Sequence, residues 1–306
     1  MSLELVEQLT AAGIINGSFY ALVGVGFGLI LGVTGRFHYA FALTFTLAAY
    51  VTSVLETAGH LPLLLTAPVG LIAAAVLGVA IERWIYRPLA HASGALSLLT
   101  IFISSLGLTI AGVNLITLAW TAFSRSITLI DVRPLHIEGV TFTTLDVLIV
   151  ATCWLLVAAL NATLSFSNLG RSIRAARGNP YLARIMGLDP DAIYLAVFAI
   201  GSLLCGAAGI LDGARYAVSP GMGIRPVVFA FVVAFLGGTQ SRPLVVGVAG
   251  LLIGLIESLS GLFVSPQWSS LVVFSVLFIY LVLRPLDLRA FRVQILSAMP
   301  DPARGE

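Results

Sequence analysis

The chain has 306 residues, 59% of them hydrophobic and only 10% charged, with a net charge of +2 and a mean hydropathy of +1.04. Soluble domains carry about a quarter of their residues as charges, so this composition excludes an ordinary soluble fold and points to an all-α, polytopic transmembrane helical bundle. All sixteen basic residues are arginine; without a lysine, the GxxxxGK[ST] loop that grips nucleotide phosphates is excluded, and any use of ATP has to come from a partner.

A helix crosses a bilayer with roughly twenty apolar residues. About nine such runs follow one another, at 9–33, 38–57, 62–85, 97–121, 144–165, 192–213, 225–239, 243–264 and 267–283. Ahead of the first, MSLELVEQLT carries Glu4 and Glu7 and no basic residue, so it lacks the positive start of a cleavable signal peptide and is expected to be retained. The first run holds Asn16, Ser18 and Tyr20, and the fourth and fifth hold Asn114 and Asn161; at membrane depth such groups bridge helices or meet a polar solute. His38, beside Arg36 at the start of the second run, reads as a solvated interfacial anchor. Asp212 in the sixth stands three residues before Arg215 and is expected to pair with it across one helical turn. The seventh run is short and bordered by glycine and proline, which suits a broken or re-entrant element. Glu257, inside GLLIGLIESLSG of the eighth, has no arginine one turn away; it either faces a pathway or joins helices, and the sequence leaves both open.

Small residues recur at four-residue spacing, as Gly24, Gly28 and Gly32, then Gly201, Cys205, Gly209 and Gly213, then Gly250 and Gly254, which predicts close helix packing. Cys153 and Cys205 lie inside apolar runs and read as inert thiols. No HExxH, GxSxG or cysteine–histidine set occurs, so no catalytic residue, metal or cofactor is expected. The connections are too short to fold separately, so residues 1–306 read as a single transmembrane domain.

The longest basic segment is residues 170–191, GRSIRAARGNPYLARIMGLDPD. Loops left in the cytoplasm are enriched in arginine, and putting this loop there places twelve of the sixteen arginines on the cytoplasmic side, with an external N-terminus and a cytoplasmic C-terminus. Arg125, Arg133, Arg215 and Arg225 fall outside that set, and a count of eight spans would reverse the N-terminus. Pro180 suits a first helical turn and Gly187 a C-terminal cap, predicting a short helix over 179–187. Tyr181, Leu182, Ile185 and Met186 then form one apolar strip. Spacing alone leaves two readings of that strip: a surface that receives force from a soluble ATPase, or an interfacial helix lying on anionic lipid.

Three ordered motifs bear on this choice: Gly13, Asn16, Gly17, Ser18, Tyr20, Ala21 and Leu22; then Arg174, Ala175, Ala183 and Gly187; then Leu236, Gly237, Gly238, Ser241, Pro243 and Glu257. In this order the chain resembles the integral membrane permeases of the branched-chain amino acid ABC transporter family, in its shorter form. The resemblance implies a subunit of the bacterial inner membrane that is not itself an enzyme. It also implies a second homologous permease, two cytoplasmic ATP-binding subunits, an external solute-binding protein and no nucleic acid as partners. The 166–191 loop, with Arg174, Ala175, Tyr181, Leu182, Ala183, Ile185, Met186 and Gly187, would dock the ATPase. Asn16, Ser18, Tyr20, Asn114 and Glu257 would line the pathway or a helix junction. The chain departs from the family's pattern at Arg36–Phe41 and at Gly237–Ser241, which bears on the solute more than on the fold. Other amino acids, amides and urea are transported within the family. A stand-alone carrier, ion-coupled through Glu257 or Asp212 or simply passive, is the alternative.

Overall fold

The computed structural model describes residues 3–59, 61–92, 97–120, 123–128, 133–137, 140–239 and 242–283. The tail arginines Arg284, Arg289, Arg292 and Arg304, and also Gln240 and Ser241, lie outside the described residues. Each predicted run is a helix, as expected of apolar segments that satisfy their backbone internally. In chain order these are α1 (Leu3–Thr34), α2 (Phe41–Gly59), α3 (Leu63–Ile81), which passes through a π-helical turn (Glu82–Tyr86) into α4 (Arg87–Ala92), and α5 (Ser97–Trp120). A hairpin of β1 (Pro134–Ile137) and β2 (Val140–Thr143) precedes α6 (Thr144–Phe166). Then come α7 (Asn168–Gly178), α8 (Pro180–Ile185), α9 (Pro190–Arg215), α10 (Ile224–Gly237), α11 (Pro243–Ser260) and α12 (Ser269–Leu283). Among the described residues, seven helices are long and apolar enough to cross a membrane, and α10 and α12 are shorter apolar helices.

The bundle is built around α1, which is buried along most of its length. Glycine sets the approach of its neighbours. A Cβ on Gly17 would lie 2.8 Å from Leu251 Cα, and one on Gly250 would lie 2.5 Å from Ala21 Cα; α1 and α11 therefore run antiparallel with their backbones nearly in contact. Gly24, Gly28 and Gly32 meet Val233, Ala234 and Thr239 in that order, which makes α10 parallel to α1. The Gly201, Cys205, Gly209 and Gly213 row packs α9 on α1 and α2, with Gly201 against Ile30, Gly209 against Phe45, and Cys205 Sγ donating to the Phe41 carbonyl at 3.2 Å.

Arg215 meets Asn16 and Gly201 meets Ile30, so α9 runs antiparallel to α1, and residues 216–223 turn the chain into α10 without a helix. The chain leaves α9 at Arg215, pairs Val218 with Arg125 as an isolated bridge, and reaches α2, where Gly223 N–H donates to Thr46 Oγ1 at 3.3 Å. There α10 begins, deep in the bundle, with Phe229 stacked on Tyr20 of α1 at 4.6 Å. At 14 residues it is about 21 Å long, short of the ~30 Å hydrocarbon layer. The seventh run is thus a half-helix behind an irregular entry.

His38 is not a solvated anchor: it is fully buried, with Nδ1 2.8 Å from the Tyr86 hydroxyl. Arg36 beside it is buried against Glu82 in an ion pair. The π-helical turn presents both partners to the α1–α2 junction.

Candidate translocation cavity and cytoplasmic loop

Where α10 starts, the irregular entry leaves a cavity of about 330 Å³ between α1, α6, α9, α10 and α11. Its walls carry Asn16 and Tyr20 from α1, Asp212 and Arg215 from α9, Arg225 from α10 and Glu257 from α11, with Phe19, Leu211 and Met222 between them. The volume is that of a small-solute site, and a few convergent polar groups on apolar walls are what such sites use.

The charges pair across the fold. Arg225 Nη2 donates to Glu257 Oε1 at 2.8 Å. Arg215 Nε is 3.1 Å from Asp146 Oδ1, and its Nη1 donates to Asn16 Oδ1 at 2.9 Å. Asp146 is fixed in turn by a reciprocal capping box with Thr143 at the start of α6. Two features stay open. Glu257, only 6% exposed, has a buried Oε2 without a hydrogen-bond partner, and Asp212 has no ion pair among the described residues. Two guanidiniums against three carboxylates leave one formal negative charge in and around the cavity, and Asp212 carries it.

The irregular entry is strained as well as open. Ala217, on the cavity wall, sits at φ 151°, the one positive-φ residue other than glycine among the described residues. Such a conformation costs roughly 1–3 kcal/mol and persists where surrounding structure enforces it.

The 166–191 loop is built by successive caps. Ser167 Oγ accepts from Gly170 N–H at 3.0 Å and starts α7. Asn179 Oδ1 accepts from Tyr181 and Leu182 N–H, both at 3.0 Å, and starts α8, with Pro180 in its first turn. Gly187 ends it at φ 84°, and Asp189 caps α9 by accepting from Asp191 N–H at 3.0 Å. Ala183 is buried, whereas Tyr181, Leu182, Ile185 and Met186 are 55–81% exposed. Four large apolar side chains thus stand free on one turn and a half. Asp191 ties the loop to the bundle, 2.6 Å from Arg87 Nη2 and 3.7 Å from Arg184 Nη2.

A family model described as the permease component of the branched-chain amino acid transport system matches residues 9–282. The chain belongs to this permease family. It is 29% identical over 292 residues to the high-affinity branched-chain amino acid transport system permease protein BraD of Pseudomonas aeruginosa, covering 91% of this chain and 94% of that one. LivH of Escherichia coli, a permease protein of the same description, is 28% identical over 289 residues, 89% of this chain and 92% of its own. The D-allose transport system permease protein AlsC of E. coli matches 96 residues at 35% identity. No solved structure gives a significant match. The permease is a multi-pass membrane protein and a component of a transport system.

Within this permease, the cavity gathers Asn16, Tyr20 and Glu257 of the residues expected at a pathway or helix junction. Ser18 instead joins helices: it is buried, accepts from Trp154 Nε1 at 2.9 Å and donates to the Ile14 carbonyl. Asn114 is not brought to the cavity: it sits on the exposed face of α5 with its amide turned back to the Ile110 carbonyl at 2.7 Å. A short polar side chain on an exposed apolar helix face satisfies itself on its own backbone. The expected Asp212–Arg215 pair does not form, since Arg215 turns to Asp146 and Asn16. Glu257 does have an arginine, from α10 rather than from its own helix. Asp212, Arg215 and Arg225 were within reach of the sequence: each is a charge at or beside an apolar run, and a site signal by that fact.

Proposed function

We propose that this permease is the membrane subunit of an ATP-binding cassette importer that carries branched-chain or related amino acids inward past α10. The supporting observation is the similarity, along nine-tenths of both chains, to two permeases named for branched-chain amino acid transport. A second homologous permease, two ATP-binding subunits and an external solute-binding protein complete the assembly, and hydrolysis belongs to those ATP-binding subunits. The whole chain acts as one membrane domain. The cavity is the passage: Asp212 offers its free carboxylate to the solute's ammonium group, while Arg225 and the first turn of α10 face its carboxylate. The exposed strip of Tyr181, Leu182, Ile185 and Met186, with Arg174, Ala175, Ala183 and Gly187 framing it, fits a groove on an ATP-binding subunit, since apolar side chains of this size are otherwise costly in water.

The test is Ile185→Asp together with Met186→Asp. The double variant is expected to insert and fold normally, to lose co-purification of the ATP-binding subunits and to abolish uptake of L-leucine. Unchanged co-purification would sink the docking role, and leucine uptake by the permease alone in vesicles would favour a stand-alone carrier.

A further inference from the structure

A second cavity, also of about 330 Å³, lies between the adjoining ends of α6, α7 and α11. Three arginines line it: Arg174 and Arg177 from α7, and Arg242 from the residue before α11. Its remaining polar groups are Asn161 and Ser165 of α6, and no acidic residue contributes. Among the described residues none of the three arginines has an ion pair. Arg83, Arg125, Arg133 and Arg171 also have no ion pair among the described residues; what sets Arg174, Arg177 and Arg242 apart is that all three line one recess.

Packing, not charge, draws the three together. Gly170 sits against the backbone of Leu164, where a Cβ would collide, and this presses α7 onto the end of α6. The Arg174 guanidinium donates to the Leu164 carbonyl, and Ile173 and Ala176 bury the adjoining face of α7. Burial pushes the Arg177 guanidinium below its ordinary range, the response of a cation held in a recess without a counter-charge. Arg242 is the N-cap of α11 and forms no side-chain cap, so the positive end of an 18-residue helix adds to the same field.

We propose that this cavity binds a phosphate group, carried by an anionic membrane lipid. Guanidiniums match phosphate oxygens through paired N–H donors, and the recess is concave, as a headgroup site requires. The surface beside it favours lipid as the source. Phe166 at the end of α6 is 86% exposed, and Leu244, Val245 and Val248 on the first turns of α11 are 40–52% exposed, so acyl chains would find an apolar track leading from the cavity. These ends of α6 and α11 are ends of spans, the depth at which headgroups lie. The cavity shares only Arg174 with the loop that frames the docking strip; Arg177 and Arg242 take no part in that strip.

The experiment is thermal unfolding of the purified full-length permease in neutral detergent, titrated separately with phosphatidylglycerol, phosphatidylcholine and inorganic phosphate. Phosphatidylglycerol is expected to raise the unfolding temperature and phosphatidylcholine to leave it unchanged. Arg177→Gln with Arg242→Gln is expected to weaken the apparent phosphatidylglycerol affinity by about 25-fold, about fivefold for each arginine; lysine at both positions, which keeps the charge without the paired donors, should restore only part of it. Native mass spectrometry of the unmodified permease reads the same site without a variant, by the phosphatidylglycerol it retains. No retained lipid, or an equal response in the glutamine variant, overturns the proposal and leaves diffuse surface charge. An equal response to inorganic phosphate assigns the cavity to a free anion and overturns the lipid source. Loss of a soluble acidic subunit from the glutamine variant, with its lipid response intact, makes the cavity a protein contact and overturns the proposal too.

Discussion

Glu82 holds a charge in the protein interior, and its partner is Arg36 at the far end of α1. A buried pair of this kind adds little net stability, but removing one member leaves an uncompensated charge costing about 3–5 kcal/mol. Glu82→Ala is therefore expected to lower the unfolding temperature sharply in detergent, and Arg36→Met with Glu82→Leu to recover most of the loss. A double variant as unstable as the single one would show that the pair does more than neutralise itself. Asp212 poses the opposite case, a carboxylate with no ion pair among the described residues. Asp212→Asn is expected to reduce L-leucine uptake at least tenfold, in line with about 1.5–3 kcal/mol for a hydrogen bond to a charged group, while assembly with the ATP-binding subunits stays normal. Retained uptake in that variant would remove the ammonium contact. Neither residue's circumstances could be read from its neighbours in sequence. The nearby Arg215 looked like Asp212's partner, and only the packing of α6 against α1 and α9 shows that Asp146 and Asn16 claim it.

At the scale of the element, α8 was legible because its signals are local. Asn179, Pro180 and Gly187 specify a start and a stop within nine residues, and those rules operate without tertiary help. Such a short helix depends on its caps. Asn179→Ala removes the one oxygen that accepts from the Tyr181 and Leu182 N–H groups and is expected to cost about 1 kcal/mol locally, read as faster amide exchange through residues 181–186 and weaker ATPase association. Gly187→Val should be worse, since φ 84° is a conformation that β-branched residues avoid. Unaltered exchange in Asn179→Ala would mean that the bundle, not the cap, orders the turn. The half-helix α10 was only partly legible. Its shortness and its glycine and proline borders were visible, but its parallel course beside α1 depends on Gly24, Gly28 and Gly32 admitting Val233, Ala234 and Thr239, a match between distant segments.

For the whole molecule, the order of the long apolar helices followed from the sequence because each crossing must satisfy its own backbone, a demand felt within about twenty residues. The cavity did not follow, because it is assembled from five elements and its ion pairs join residues on different helices. The topology can be checked cleanly, because both native thiols, Cys153 and Cys205, are buried. A cysteine at Met186 is expected to react with a membrane-impermeant maleimide only from the cytoplasmic side, and one at Ala58, exposed at the end of α2, only from outside. Reaction of both from one side would refute the three crossings by α3, α5 and α6 that separate them.

Asp191 has two arginine partners, and they belong to different parts of the chain. Through Arg184 it holds α8, and through Arg87 it holds α4, which continues from the π-helical turn carrying Glu82. Arg184 and Arg87 are partly open to solvent, whereas Arg36 and Glu82 are sealed. Dissolved ions screen the first kind of contact and scarcely reach the second. Raising ionic strength should thus loosen the loop from the bundle while the α1–α2 junction stays closed, so that ATP hydrolysis and transport drift apart as salt increases.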